Sequence, residues 1–156
     1  MHRDLKPLNV LCEDYTDLAE DEMHVKLADF GLSTKFNPEE KRRDGCGTYT
    51  FFAPELCSRV SYDAKVDVWA LGVIAYLLLT LKYPFFAHPD YVINSSITPD
   101  DMATKDHIQQ GEPDYESDLR GASPEALSFI KSCFTKDAEQ RPSITDLLQL
   151  PWISAA

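Results

Sequence analysis

Two short polar segments near the start of the chain leave few folds open to it. The first, residues 2–9, reads His-Arg-Asp-Leu-Lys-Pro-Leu-Asn. The second, Asp29-Phe30-Gly31, begins twenty residues after Asn9 and directly follows the strand-like run at residues 25–28. Either segment alone would mean little, because such tripeptides occur by chance. Their order, spacing and the strand between them make a highly specific combination.

These segments resemble two landmarks of protein kinases, the catalytic loop and the metal-binding Asp-Phe-Gly turn. Further kinase-like landmarks follow in the family's order: Gly47-Thr48, Ala53-Pro54-Glu55, the helix that begins near Asp67, and the stretch that ends at Arg141. Six landmarks in the correct order make coincidence untenable. The chain is therefore identified as a member of the protein kinase superfamily.

Finer features resemble particular kinases. Lys6 followed by Pro7 is similar to the Ser/Thr-specific form of the catalytic loop. Residues 25–33, the helix near Asp67 and residues 147–153 resemble the calcium/calmodulin-dependent group, including calcium-dependent kinases. Leu8 stands where many kinases that prefer arginine upstream of the target carry an acidic residue, so the resemblance does not imply that preference here.

The resemblance implies a chemical role for four polar residues. Asp4 would be the catalytic base that accepts the proton of the substrate hydroxyl, and Lys6 would lie over the γ-phosphate of ATP. Asn9 and Asp29 would supply oxygen ligands to Mg²⁺ and, with Lys6, bind the nucleotide. The implied cofactors are therefore ATP and Mg²⁺. The alternative for Asp4 is a loop carboxylate that caps a turn.

Other residues would position these groups. Thr48 would hydrogen-bond Asp4 and Lys6 and so belong to the catalytic set. The remaining expectations are a turn at Gly31 that aims Asp29, stacking of His2 on Phe30, a buried Glu55–Arg141 ion pair, and a contact from Asp67 to the catalytic-loop backbone. Taken singly, each could be ordinary helix capping or core packing.

Asp44 occupies the place where many related kinases carry a phosphorylated threonine that pairs with the arginine of the catalytic loop, here Arg3. A carboxylate there could supply part of the same charge-assisted contact without modification. A solvated loop aspartate is the alternative, and both remain open. Thr48 and Thr50 are further candidate phosphorylation sites.

The pattern of apolar residues predicts a mainly α fold. We expect two short strands around an acidic loop, and helices at 64–80 (buried on all sides, capped by Ser61 or Asp63, ended by Tyr83-Pro84), at 100–110, from Ser123-Pro124, and at 144–150. With the resemblance, this is a kinase-like large C-terminal lobe with a β hairpin beside the catalytic loop. It would span residues 1–153, with the catalytic loop at 2–9, the activation segment at 29–55 and a helical subdomain at 56–153.

Nothing in the sequence resembles the Gly-rich phosphate loop, the strand lysine or its glutamate partner, which belong to the kinase N-terminal β lobe. We therefore expect that lobe to be absent from this chain and residues 1–156 to be inactive alone. The favoured interpretation is a piece of an active Ser/Thr protein kinase. The alternative is a lobe-only protein that binds a kinase or a substrate and catalyses nothing.

The amino-acid composition limits which binding partners and which cellular compartment suit the chain. The net charge of −11 argues against nucleic acid or an anionic membrane as a partner. Four widely spaced cysteines fit reduced thiols, and hence a cytosolic or nuclear location, better than a disulfide framework. The expected partners are ATP, proteins that present serine or threonine, and an upstream kinase or calcium-sensing regulator.

Overall fold

The computed structural model describes residues 1–12, 24–37, 39–85 and 101–154, the side chains of 101–103 aside. Helices dominate the described part, and one two-stranded antiparallel sheet accompanies them, so the predicted mainly α fold is confirmed. The strands are β1 (Val10–Cys12) and β2 (Val25–Leu27). The helices are α1 (Pro54–Cys57), α2 (Lys65–Thr80), α3 (Asp101–Gln110), α4 (Tyr115–Asp118), α5 (Pro124–Cys133), α6 (Ile144–Leu147) and α7 (Pro151–Ser154), with 3-10 turns at Pro7–Asn9 and Tyr49–Phe51.

The hairpin joins the two polar segments of the sequence. Val10 pairs with Leu27 and Cys12 with Val25. Beyond the ladder, the Ala28 amide donates to the Asn9 carbonyl at 2.9 Å. The end of the catalytic loop therefore lies beside the start of the Asp-Phe-Gly turn. The acidic loop predicted between the strands lies outside the described residues.

Helix α2 is the centre of the core, because it is apolar on nearly every face. Trp69, Val73 and Tyr76 are fully buried, and Trp69 stacks on Phe85 with ring centroids 5.0 Å apart. A methyl group at Gly72 would lie 2.5 Å from the Cys133 Cβ, so glycine lets α2 approach α5 closely. Because most faces of α2 are buried, the loops that pack around the helix can be held in place by it.

The bounds of α2 agree with the sequence prediction to within one residue. At its start, the Asp63 carboxylate accepts from the Lys65 amide at 2.8 Å, so Asp63 fills the capping role that was also considered for Ser61. At its end, Leu81 adopts a left-handed φ of 59° and stops the helix before Tyr83-Pro84. Leu78 is 72% exposed, so the prediction of burial on all sides is wrong for the last turn.

The C-terminal helices mostly follow their capping signals. The Ser123 hydroxyl accepts from the Ala126 amide and begins α5, as expected. Ser143 begins α6 through a capping box with Asp146. The predicted single helix at 144–150 is wrong, because α6 ends at Leu147 and α7 begins separately at Pro151. None of the described helices is long and apolar enough to cross a membrane.

Candidate active site

The catalytic loop is attached to the core helix by one carboxylate. Asp67, in the first turn of α2, accepts from the backbone amide of His2 at 2.6 Å and from that of Arg3 at 2.8 Å. Arg3 has a left-handed φ of 72°, a conformation that non-glycine residues rarely adopt. The two hydrogen bonds hold this unfavourable turn and direct the following residue, Asp4, into the site. The contact expected for Asp67 is present.

Asp4 is the centre of a three-residue hydrogen-bonded cluster. The Lys6 ammonium donates to Asp4 Oδ2 at 2.8 Å, and the Thr48 hydroxyl donates to Asp4 Oδ1 at 2.7 Å. Lys6 also donates to the Thr48 Oγ1 at 2.8 Å. Burial raises the pKa of Asp4, but the hydrogen bonds from Lys6 and Thr48 lower the pKa by more, so the carboxyl lies below its usual range. Asp4 is therefore an ionised acceptor at neutral pH.

Glycine at position 47 lets the activation segment approach the catalytic loop. Gly47 has a φ of 108°, and a Cβ added there would lie 2.4 Å from the Arg3 carbonyl oxygen. Any side chain would therefore combine backbone strain with a clash against another backbone. The close approach places the next residue, Thr48, in contact with Asp4.

The donor chemistry of Asn9 and Asp29 suits an oxygen-ligated Mg²⁺ ion. The buried Asn9 amide nitrogen donates to the Asp4 carbonyl at 2.8 Å, which fixes the side chain and directs its Oδ1 to the opposite side. Asp29 is an exposed carboxylate. No group of three or more His, Cys, Asp or Glu side chains in the described residues could cage a metal. An amide and a carboxylate suit Mg²⁺, which commonly takes one or two protein ligands beside phosphate oxygens and water.

The Asp-Phe-Gly segment forms a tight turn at Gly31. The residue with left-handed backbone is Asp29 itself, with a φ of 57°, whereas Gly31 has no positive φ. Its amide faces Asp29 Oδ1 at 3.3 Å, and a Cβ there would lie 3.2 Å from the same atom. Glycine thus gives the carboxylate room.

His2 packs beside Phe30 in the manner expected from the sequence. The two ring centroids are 5.1 Å apart, with the rings tilted by 57°. The His2 imidazole is buried, and its Nε2 lies 3.0 Å from the Ala28 carbonyl oxygen. Phe30 is 60% exposed, so only one side of its ring is packed.

Asp44 lies in a cluster of donors rather than free in solvent. Arg3 donates to Asp44 Oδ2 at 2.5 Å, and Arg42 donates through Nε and Nη2 at 2.9 and 3.0 Å. The Tyr62 hydroxyl donates to the Asp44 carbonyl at 2.7 Å. The hydrogen bonds from Arg42 and Arg3 hold the pKa of the Asp44 carboxyl well below its usual range. The solvated-loop alternative therefore fails on geometry.

Arg42 and Tyr62 are the two members of this cluster that the sequence did not reveal. Their backbones form an isolated antiparallel bridge, with hydrogen bonds of 2.8 and 2.9 Å. The bridge attaches the activation segment to the chain before α2. The basic run at residues 41–43, four residues or fewer from Asp44, was the available signal for Arg42.

Glu55 and Arg141 form a buried ion pair beneath the site. Arg141 Nη1 and Nη2 donate to the two Glu55 carboxylate oxygens at 2.7 and 2.9 Å. Arg141 also donates to the Thr135 and Lys65 carbonyls at 2.9 and 3.0 Å. Both charged groups are almost fully shielded from solvent. The pair joins the end of the activation segment to the turn before α6, as expected.

The structure thus brings together the residues that the sequence singled out. One cluster holds Asp4, Lys6 and Thr48, with Asn9 beside it, and a second holds Arg3 and Asp44. Comparison with known families agrees with this arrangement, because the sequence profile of the protein kinase domain matches residues 1–153. The chain belongs to the protein kinase domain family.

Curated relatives are similar to this chain over nearly its whole length. A probable myosin light chain kinase of Dictyostelium discoideum is 36% identical over 155 residues, covering 99% of this chain and 40% of that protein. Skeletal/cardiac muscle myosin light chain kinase 2 of Rattus norvegicus is 33% identical, with 99% and 23% covered. Sperm motility kinase Z of Mus musculus is 34% identical, with 98% and 27% covered. The kinase domain sequence here thus spans two-fifths or less of these proteins' lengths, and the myosin light chain kinases fit the predicted subgroup.

Proposed function

We propose that this chain carries the catalytic loop and activation segment of a protein kinase that transfers the γ-phosphoryl group of ATP to serine or threonine hydroxyls of proteins. The observation that carries the proposal is the cluster in which Lys6 and Thr48 both donate to the Asp4 carboxylate. An ionised carboxylate held by two donors is pre-positioned to accept a third hydrogen bond from a substrate hydroxyl. Family membership supports the same reaction.

Asp4 would orient the hydroxyl and accept its proton as the hydroxyl oxygen bonds to the γ-phosphorus. The bond from that phosphorus to the β,γ-bridging oxygen breaks, and ADP leaves. Lys6, already 2.8 Å from Asp4, would place its ammonium charge on the transferred group as negative charge spreads over the oxygens. Thr48 would fix the Asp4 rotamer through its hydroxyl.

Asn9 and Asp29 would bind Mg²⁺ at the phosphate end of the nucleotide. The ion, when bound, neutralises phosphate charge and polarises the phosphoryl group. Asn9 suits this role because its amide nitrogen is already committed to the Asp4 carbonyl. Asp29 follows Ala28, whose amide donates to the Asn9 carbonyl, and the Asp29 backbone is left-handed. This arrangement would direct the Asp29 carboxylate to the side on which Asn9 lies.

Asp44 would keep the activation segment ordered without phosphorylation. Its carboxylate pairs with Arg3, the residue directly before the proposed base, and with Arg42. A phosphothreonine would supply the same charge-assisted bonds, but only after modification by another kinase. We therefore propose that this kinase does not require an upstream kinase at this position. We also propose a cytosolic or nuclear location, which the buried thiols of Cys57 and Cys133 support.

The test is an Asp4→Asn substitution in the full-length protein, assayed for phosphate transfer from ATP to a Ser/Thr peptide mixture. We expect kcat to fall by roughly 10²- to 10⁴-fold, the usual range for a positioned general base, with ATP affinity nearly unchanged. Asp106→Asn, at an exposed aspartate of α3, is the matched control and should keep full activity. Near-normal turnover of Asp4→Asn would refute the assignment. No transfer by the unsubstituted protein would favour the non-catalytic alternative.

A further inference from the structure

A cationic pocket opens beside the proposed catalytic cluster. It has a volume of about 450 Å³, and its lining includes Arg43, Arg59, Lys105, Gly47 and Tyr49. Among the residues that the structure describes, the remaining lining includes no aspartate or glutamate. The chain as a whole carries a net charge of −11, so a pocket with three cations and no acid departs from the general surface.

The pocket lies close enough to Asp4 for a short segment of a bound peptide to contact both. Gly47 forms part of its wall and is bonded to Thr48, whose hydroxyl donates to Asp4 at 2.7 Å. Phe52 and Leu56 line both this pocket and the small cleft that contains Asp4. An extended peptide advances about 3.3 Å per residue. A substrate with its hydroxyl at Asp4 would therefore place a side chain one to three positions away in this pocket.

The three cations come from separate elements that the fold brings together. Arg43 lies in the activation segment, Arg59 follows α1, and Lys105 lies on α3. Helix α3 is attached to the end of α1, where Gln109 donates to the Ser58 hydroxyl at 2.7 Å. Lys105 acts electrostatically on the buried Cys57 thiol at the pocket wall and lowers its pKa, although burial dominates and raises the pKa to about 11.

These cations differ from the neighbouring arginines in their pairing. Arg3 and Arg42 are both engaged by Asp44. In the described part of the chain, no ion pair joins Arg43, Arg59 or Lys105 to an acidic side chain. Positive charge in the pocket is therefore not neutralised by the carboxylates that the structure describes there.

We propose that this pocket selects protein substrates that carry an anionic side chain, a carboxylate or a phosphate, within three residues of the phosphorylated serine or threonine. This inference rests on the proposed kinase activity and adds its substrate class. Arginine and lysine charges gathered from three elements would attract such a group and bring its peptide into register with Asp4.

The experiment measures kcat and KM of the full-length protein for one serine peptide with alanine, glutamate, phosphoserine or lysine at each of the three positions on either side. At one position we expect a KM about 5- to 20-fold lower for the anionic peptides than for the alanine peptide, a modest charge-pair effect. The glutamate and phosphoserine arms show which anion is preferred. Raising the salt from 50 to 300 mM should diminish the difference, because partly exposed charges are screened.

Lys105→Gln should reduce the advantage of the anionic peptides, and Lys105→Glu should reduce it further, because the formal charge of the pocket then falls from +3 to +1. Arg120→Gln, at an exposed arginine that does not line the pocket, is the matched control and should leave the preference unchanged. Equal KM values for all peptides, or a preference that Lys105→Glu does not alter, would overturn the inference while the proposed kinase activity stands.

A second readout separates failure of the inference from failure of the kinase proposal. Peptides with alanine at the acceptor position are titrated by fluorescence anisotropy, which needs no phosphate transfer. Tighter binding of the glutamate peptide, weakened in Lys105→Gln, supports the pocket even if no peptide is phosphorylated. Equal binding of the glutamate and alanine peptides overturns it.

Discussion

The Glu55–Arg141 pair permits a quantitative test of what holds the activation segment to the core. Its two hydrogen bonds, 2.7 and 2.9 Å, are shielded from water, and Arg141 is 1% exposed. A hydrogen bond to a charged group contributes about 1.5–3 kcal/mol, so the two bonds together represent about 3–6 kcal/mol. Removal of one partner of a buried pair typically costs about 3–5 kcal/mol, because the other charge is stranded.

The two single substitutions should not be equal. In Glu55→Ala, Arg141 keeps the carbonyls of Thr135 and Lys65, so we expect a loss near the lower end, about 3 kcal/mol. Arg141→Ala strands the carboxylate, leaves those carbonyls without their donor and removes the guanidinium that lies 5.1 Å from the Trp69 ring centroid. We expect that loss to approach about 5 kcal/mol.

The assay is urea unfolding of the wild-type chain, both single variants and the double variant. For an m-value of about 2 kcal/mol/M, the midpoints of the single variants should fall by about 1.5–2.5 M. The double variant should recover part of the loss, with a coupling energy of about 2 kcal/mol or more. Small and additive losses in the two single variants would refute the reasoning, since they would mean that the pair adds nothing as a buried unit.

Three further predictions concern the activation segment and the helical core. Asp44→Asn should lower kcat by about 3- to 10-fold without phosphorylation, because Arg3 loses its anionic partner, and unchanged steady-state kinetics would disprove constitutive pairing. Gly47→Ala should abolish most activity and also lower the melting temperature, because the Cβ meets the Arg3 carbonyl oxygen and the positive φ strains a residue with a side chain, and normal kcat would contradict this. Burial raises the pKa of Asp118, but bonds from Lys82 and Tyr76 lower it by more, so its stabilising effect is present above about pH 4 and is lost as pH falls through the lowered value. The difference in unfolding free energy between Asp118→Asn and wild type should therefore be largest near pH 7 and shrink as the pH falls below about 4, and a constant difference would disprove it.

Local sequence signals predicted the regular elements well where one signal dominated. Ser123 followed by Pro124 gave the start of α5, and the long apolar run gave α2. The exposure of the last turn of α2 could not be predicted, because the identity of an apolar residue such as Leu78 does not indicate whether its side chain is buried or exposed. Apolar residues continue through Leu147, Leu148 and Leu150 and so conceal the division between α6 and α7, whereas Pro151 disfavours a helical backbone in the residue before it.

The candidate site was predictable to the extent that its residues lie in recognisable motifs. The contacts of Asp4, Asp67 and Glu55 all fall where the family pattern implied. The Asp44 cluster shows the limit of prediction from sequence. Its Tyr62 is brought beside Asp44 by an isolated backbone bridge with Arg42, and such isolated pairings leave no periodic pattern in the sequence. Likewise, sequence could not reveal that α3 brings Lys105 to the same pocket as Arg59.

The attachment of the catalytic loop to α2 through Asp67 has a dynamic consequence. The amides of His2 and Arg3 are bonded to a side chain that belongs to the most buried helix of the chain. Their hydrogen exchange with solvent should therefore require the opening of α2, so that loop and helix form one cooperative unit. The exposed hairpin residues can open at much lower free energy. A destabilising mutation anywhere along α2 would then raise the fraction of molecules whose loop is open, and it would lower activity without touching the site.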